Sequence, residues 1–315
     1  MCSLLLIPIG AGCRSRSQNM DDLPPPTTRP VEVIQKPAID LARGGAGFPL
    51  DVVTAPTTIE QLVDALTRSY QARLEADPMI GVLAVGNTIG ELKSLEIDIT
   101  GSTVKSSFTP TGPAKSVPAA RPFMRVGQLT YRADPLKYAT YDASMTLQAT
   151  NARLALLPAA DKKLSLVLYD CREGSARISV ALDHLEKGLT AAMRIRGGMA
   201  LKLRSVEMRM RSASAHNLEA DFTVHAHMLM VPTTFRLVGR ADVDSNFNIH
   251  FTSLAAEGND PSGAVIAAFI QGKLDKLNNK AAPLLKLPGD KIHITDLSLK
   301  LDDRLTVEVK FAGTQ

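Results

Sequence analysis

The side chains with the strongest claim to chemistry are His225 and His227, in the segment "TVHAHM". In a strand, residues two apart leave from one face, so two imidazoles could supply two of the three protein ligands of a catalytic zinc. Thr223 shares that face, whereas Val224, Ala226, Met228 and Met230 make the other side apolar. The histidines are therefore expected on the solvated face. No Cys, Asp or Glu stands close by at a ligand spacing, and no metal is expected. Ser102 and Lys105 have the S-x-x-K spacing in which a lysine activates a serine, but the companion motifs S-D-N and K-T-G are absent. Cys171, in "LYDCREG", lacks an activating neighbour and is expected in the core or a turn. The chain contains no G-x-S-x-G, P-loop or C-x-x-C, and "GGAGFP" has too few glycines to cradle a phosphate. No catalytic residue, metal or cofactor is expected, and the chain is not expected to be an enzyme.

Charge narrows the partners. A net charge of +4 on 315 residues is compatible with an anionic membrane surface but too weak to argue for nucleic acid. Aromatic residues make up 4% and tryptophan is absent, which removes the stacking platforms that single strands need. A basic cluster is present at Arg194, Arg196, Lys202, Arg204, Arg209 and Arg211. It is either a solvated strand face or, at Arg204, Arg209 and Arg211, a contact for lipid headgroups.

The chain opens with "LLLIPIGAGC", an apolar run too short to span a bilayer, which takes about 20 residues, and suited to a signal-peptide core. The small residues before Cys13 resemble the lipobox of bacterial lipoproteins, although Gly10 stands where that pattern has leucine. The resemblance implies cleavage before Cys13, a diacylglycerol on its sulfur, and a membrane anchor in the bacterial cell envelope. Cys171 would then keep the one free thiol, leaving no internal disulfide. Residues 1–12 are expected to be the signal and 13–55, rich in proline, a poorly ordered tether. Residues 56–315 are expected to form the domain.

Within the domain, "TTIEQLVDALTRSYQARLEADP" predicts a helix with Thr57 and Glu60 as capping box and Ile59, Leu62, Val63, Leu66 and Tyr70 as its apolar stripe. A second helix is predicted at "LDHLEKGLTAAM", capped by Asp183, with Leu185, Leu189 and Met193 on one face. A third starts at Asp260-Pro261 and carries Val265, Ile266, Phe269, Ile270, Leu274 and Leu277. Elsewhere the period is two, as in Leu95, Ile97 and Ile99, in Val206, Met208 and Met210, or in Leu297, Leu299 and Leu301. Such alternation predicts a mostly antiparallel sheet with one buried face, and with the helices an α+β fold. "LKSLEIDI" (92–99) and "LRSVEMRM" (203–210) echo one another, differing mainly at Asp98 and Arg209. They are consistent with a duplicated unit or with the general likeness of alternating strands.

The segments "AVGNTIGELKSLEIDITGSTV", "MRVGQLTYRADPLKY", "KLSLVLYDCREGSARISVALDHLEKGL" and "PLLKLPGDKIHITDLSLKLDDRLTVEVKF", in that order behind a capped helix, resemble the LmeA-like phospholipid-binding proteins of the tubular lipid-binding (TULIP) superfamily. The resemblance covers roughly residues 57–312. It implies a strongly curved antiparallel sheet wrapped around amphipathic helices, with an apolar groove between them that holds a phospholipid or another acyl lipid. The helix residues placed to line such a groove are Leu62, Leu66, Leu185, Leu189, Val265, Ile266, Phe269, Ile270 and Leu274. The expected function is a lipid-anchored envelope protein that binds or carries phospholipid-like molecules. The alternative is a scaffolding lipoprotein with a solid core that recruits a protein partner.

Overall fold

Alternating apolar and polar residues need a partner for one face of each strand, and two sheets meet that need. The computed structural model describes residues 47–75, 80–105, 121–138, 141–158, 163–187, 190, 201–228, 231–278, 280–283 and 291–314. The chain runs through β1 (Gly47–Pro49), α1 (Ile59–Arg73), β2 (Gly81–Thr88), β3 (Glu91–Asp98), β4 (Thr103–Val104), β5 (Arg121–Tyr138) and β6 (Tyr141–Pro158). It continues with β7 (Leu164–Asp170), β8 (Glu173–Ala181) and a helical segment α2 (182–187). A meander follows: β9 (Leu201–Ser214), β10 (Asn217–Met228), β11 (Val231–Val243) and β12 (Asn248–Gly258). Then come α3 (Pro261–Leu274), β13 (Ala281–Pro283), β14 (Ile292–Leu301) and β15 (Arg304–Gly313).

The first sheet, A, has ten strands ordered β14-β15-β8-β6-β5-β3-β2, with β7 beside β6, β1 beside β7 and β4 beside β5. Its pairs are antiparallel except β3–β5 and β4–β5, which are parallel. The second sheet, B, has five strands in the order β13-β12-β11-β10-β9. Neither closes into a barrel. The fold is therefore mostly antiparallel sheet with few helices, as the period-two pattern predicts, divided between two sheets rather than built on one. The echoing segments are not equivalent: β3 is an interior strand of sheet A, and β9 is an edge of sheet B.

Sheet A is packed by α1. Leu62, Leu66 and Tyr70 meet Leu95 and Ile97 of β3, Val126 and Leu129 of β5, and Leu154 of β6 in one buried cluster. The cluster begins earlier than the proline pattern suggests. Phe48 and Leu50 have no exposed surface, and β1 pairs with β7, so residues 47–50, expected outside the domain, are part of its core. A proline is compatible with a short strand at the sheet margin, where it forfeits few ladder bonds. The helix cap also shifts by one residue. Thr58, not Thr57, accepts from the Gln61 N–H, while the Gln61 side-chain oxygen accepts from the Thr57 N–H at 2.8 Å. The capping box is thus built on Thr58 and Gln61, with Glu60 inside the first turn. Asp183 is likewise inside α2 rather than its cap, and bonds Lys187 one turn on at 3.1 Å.

The start of α3 is as predicted: Asp260 is the cap and Pro261 the first helical residue. The Asp260 carboxylate accepts from the Gly263 N–H and the Thr234 N–H, each at 2.7 Å, and from the Thr233 hydroxyl at 3.0 Å. One side chain therefore ties the helix start to β11. These backbone donors, Gly263 first, hold its carboxyl below the usual carboxylate range. A depressed folded-state value contributes stability above about 3.9, the unfolded value, and the contribution is lost as pH falls through the folded value. Asp260→Ala is expected to melt below wild type near neutral pH. The difference should narrow once pH drops below about 4, as followed by circular dichroism; a constant difference would count against this role.

Candidate functional site

The candidate site is the apolar face of sheet B. Strand register aligns its side chains in cross-strand rows. Val206, Val224 and Phe235 form one row, Met208, Phe222 and Leu237 the next, and Met210, Ala220 and Gly239 a third. The first row is buried, with Ile266 of α3 upon it, and Ile270 packs at its side. The second and third rows are only half-buried. Among the described residues α3 is the helix that packs on this face, and it leaves two apolar rows short of a full cover. From Ala220 to Ala226 the strand measures about 20 Å, at roughly 3.4 Å per residue.

α3 itself is apolar all round. Ile266 and Ala267 face the sheet, while Val265 and Phe269 are 64% and 69% exposed, with Ala264, Ala268 and Gly272 around them. The Lys273 ammonium lies 4.8 Å from the centre of the Phe269 ring. A helix that is apolar on both sides has its outer side in contact with something apolar, or holds exposed surface that does not favour water. Close approach to the sheet is secured by Gly263, whose Cβ would come 2.4 Å from the Thr234 carbonyl oxygen if it existed.

The residues proposed for a groove are thus dispersed. Leu62 and Leu66 have no exposed surface and lie in the sheet A core. They are correctly apolar but line no open space, because they are enclosed in the same buried cluster as side chains of β3 and β5. Ile266 and Ile270 join the sheet B cluster, Leu185 and Leu274 are half-buried, and Val265 and Phe269 point outward. Leu189, Cys13, Arg194 and Arg196 lie outside the described residues. The residues that sequence reasoning missed are Met208, Phe222 and Leu237. Their alternation was visible, but not the register that aligns them.

The basic strand is on the opposite side. Arg204, Arg209 and Arg211 are exposed, and β9 pairs Arg209 with Asp221 and Arg211 with Glu219. The ladder continues through Arg236, 2.7 Å from Asp221, and Arg240, 2.8 Å from Asp242. The Arg236 guanidinium, with Arg209 and Arg211 farther off, holds the Asp221 carboxyl below its ordinary value. Arg209 and Arg211 thus belong to a charge-balanced polar face and do not border the apolar rows.

The chemical candidates resolve similarly. Val224 and Ala226 are buried and His225 is on the polar face, within 3.3 Å of Glu207 and 3.2 Å of Thr234. No group of three possible metal ligands occurs among the described residues. The Lys105 ammonium is held by the carbonyls of Gln71 and Ala72 at the end of α1, so it does not serve Ser102 as a base. Burial, with the Asp170 and Glu173 carboxylates nearby, pushes the Cys171 thiol up to about 11, so it is protonated at neutral pH.

The chain matches no family model, no curated protein and no solved structure. Function therefore rests on the surfaces just described. Phe269→Asp is expected to leave the domain folded, with a change within about 0.5 kcal/mol, as for other solvent-facing substitutions. Urea denaturation measures this. A loss of several kcal/mol would place Phe269 in a buried contact.

Proposed function

We propose that the protein is a lipid-anchored envelope protein that binds phospholipid-like molecules along the apolar face of sheet B, under or beside α3. The observation that carries this is the pair of half-covered rows, Met208–Phe222–Leu237 and Met210–Ala220–Gly239. Their surface offers aliphatic, thioether and aromatic contacts. The two rows cover about 7 Å along the strands and two strand spacings, about 10 Å, across β9, β10 and β11, a length that suits a segment of an acyl chain. Each methylene removed from water contributes about 0.8 kcal/mol. Methionine adapts to ligands of variable shape, which suits a carrier of mixed acyl chains. The outward face of α3, with Val265, Phe269 and Lys273, suits contact with a membrane, where the ring enters the apolar boundary and the ammonium stays at the headgroups. The curved, wrapped arrangement of the lipid-binding superfamily that the sequence resembles would turn these surfaces into a groove.

One observation favours protein recruitment instead. β2 ends sheet A, carries no charged side chain, and leaves Leu83 and Val85 57% and 44% exposed. A cleft of about 480 Å³ runs between it and α1, lined by Ile59, Val63 and Val82 among others. Unprotected edges of this kind accept strands from partners.

Phe222→Asp tests the lipid function. The variant should remain folded and lose the lipid that organic extraction recovers from the wild type, whereas Phe235→Asp, at a buried position, should unfold sheet B. Recovery of equal lipid from both folded proteins, or of none from wild type, would overturn it. Anchoring is tested separately: labelled palmitate should enter the full chain and not Cys13→Ser, and labelling of the variant would remove Cys13 from the proposal.

A further inference from the structure

A second surface, on sheet A, brings four cationic side chains together in one cleft. The register places Glu91, Arg125, Arg153 and Asp170 side by side across β3, β5, β6 and β7. Arg125 and Arg153 are thus directly opposite on neighbouring antiparallel strands, an arrangement that like-charge repulsion disfavours. Asp170 neutralises one of them, lying 3.2 Å from Arg153. Arg125, and Lys93 on the adjacent row, enter no ion pair among the described residues. A cleft of about 670 Å³ is lined by these rows and by Arg172, which pairs with Glu173 at 3.3 Å.

The floor of the cleft is shaped for access. Gly127 lies between Lys93 and Asn151, and a Cβ there would come 2.6 Å from the Lys93 carbonyl oxygen. Glycine lets β3 approach and keeps the floor free of a side chain. Asn151 has a φ of 48°, a left-handed conformation that asparagine tolerates better than most residues, and it also lines the cleft. Four cationic side chains and two carboxylates line the space, and Glu173, paired with Arg172, stands beside it, which leaves an excess of one positive charge. Guanidinium groups match the oxygen geometry of phosphate in pairs of hydrogen bonds, and an ammonium adds a point charge.

From this juxtaposition we infer that the cleft between β3, β5, β6 and β7 binds a phosphate monoester dianion, held by Lys93, Arg125 and Arg153. The dianion supplies Lys93 and Arg125 with the ion-pair partner they lack among the described residues and relieves the opposition of the two arginines. The volume leaves room for the group esterified to the phosphate. That group is either a small polar alcohol in solution or the glycerol of an anionic lipid headgroup. The inference is independent of the apolar face of sheet B.

The test uses the full chain and inorganic phosphate at constant ionic strength. Phosphate should raise the melting temperature saturably where chloride does not. Arg125→Gln and Lys93→Gln, both at exposed positions, should each weaken the response about tenfold, or 1.4 kcal/mol. Arg125→Lys should fall between these and wild type. Glycerol 1-phosphate and dihexanoyl phosphatidic acid then separate the sources. Equal affinity identifies a soluble phosphate ester, and much tighter binding of the diacyl compound identifies a headgroup. A phosphate effect no larger than that of chloride would overturn the inference. So would a response unchanged in both glutamine variants, or equal binding of dihexanoyl phosphatidylcholine. Phe222→Asp should keep the phosphate response, so failure of the lipid proposal and failure of this one give different results.

Discussion

The pairing of β5 with β6 is the constraint on which the rest of the molecule depends. Each strand is 18 residues long, and their register is shared by every other part of sheet A. β5 receives β3 and β4 in parallel on its free side. β6 serves two strands on its other side, β8 along residues 143–150 and β7 along 153–158. The change of partner falls at Asn151, where the backbone turns left-handed. A slip of one residue in this pair would move Val126, Leu129 and Leu154 out of the core, and would dissolve the alignment of Arg125 with Arg153. Core and cationic cleft are therefore two faces of one register.

Sheet B obeys a different economy. Its buried cluster consists of Val206, Val224, Phe235 and Ile266, a small core for five strands. Its edges are closed by side chains. Glu186 accepts from the Met208 N–H of β9, while Gln271 and Asn278 bond the outer edge of β12 at Ala256 and Leu254. Sheet A and sheet B join where the Leu299 N–H meets the Ala215 carbonyl at 2.7 Å. Against these protected edges the uncharged β2 is the exception, and the small core leaves the outer apolar rows of sheet B half-buried.

What was legible in the sequence was local. Asp260-Pro261 marked the start of α3 because a cap and a first-turn proline act within four residues. The alternation of Leu95, Ile97 and Ile99 placed all three inside, since a strand's two faces follow from the pleat alone. The cap of α1 was off by one residue because Thr57 and Thr58 are chemically the same. Less accessible was the environment of an apolar side. Leu66 and Phe269 both lie on apolar helix stripes, yet one is enclosed by strands and the other faces out, a difference decided by partners distant in the chain. The same holds for Arg125, Arg153 and Asp170, each unremarkable until register brings them together.

The position of the last strand has a consequence for the order in which the chain becomes structured. β15 lies between β14 and β8, inside sheet A, although it follows every other described strand in the chain. Sheet B is encoded between β8 and β14, and its strands from β9 to β12 pair with successive neighbours, so a nascent chain can assemble it while synthesis proceeds. Sheet A cannot finish until Phe311 and Val309 leave the ribosome, because both belong to its buried cluster. Until then the edge of β8 stays unpaired. The larger sheet therefore closes only after the whole meander of sheet B has been synthesised.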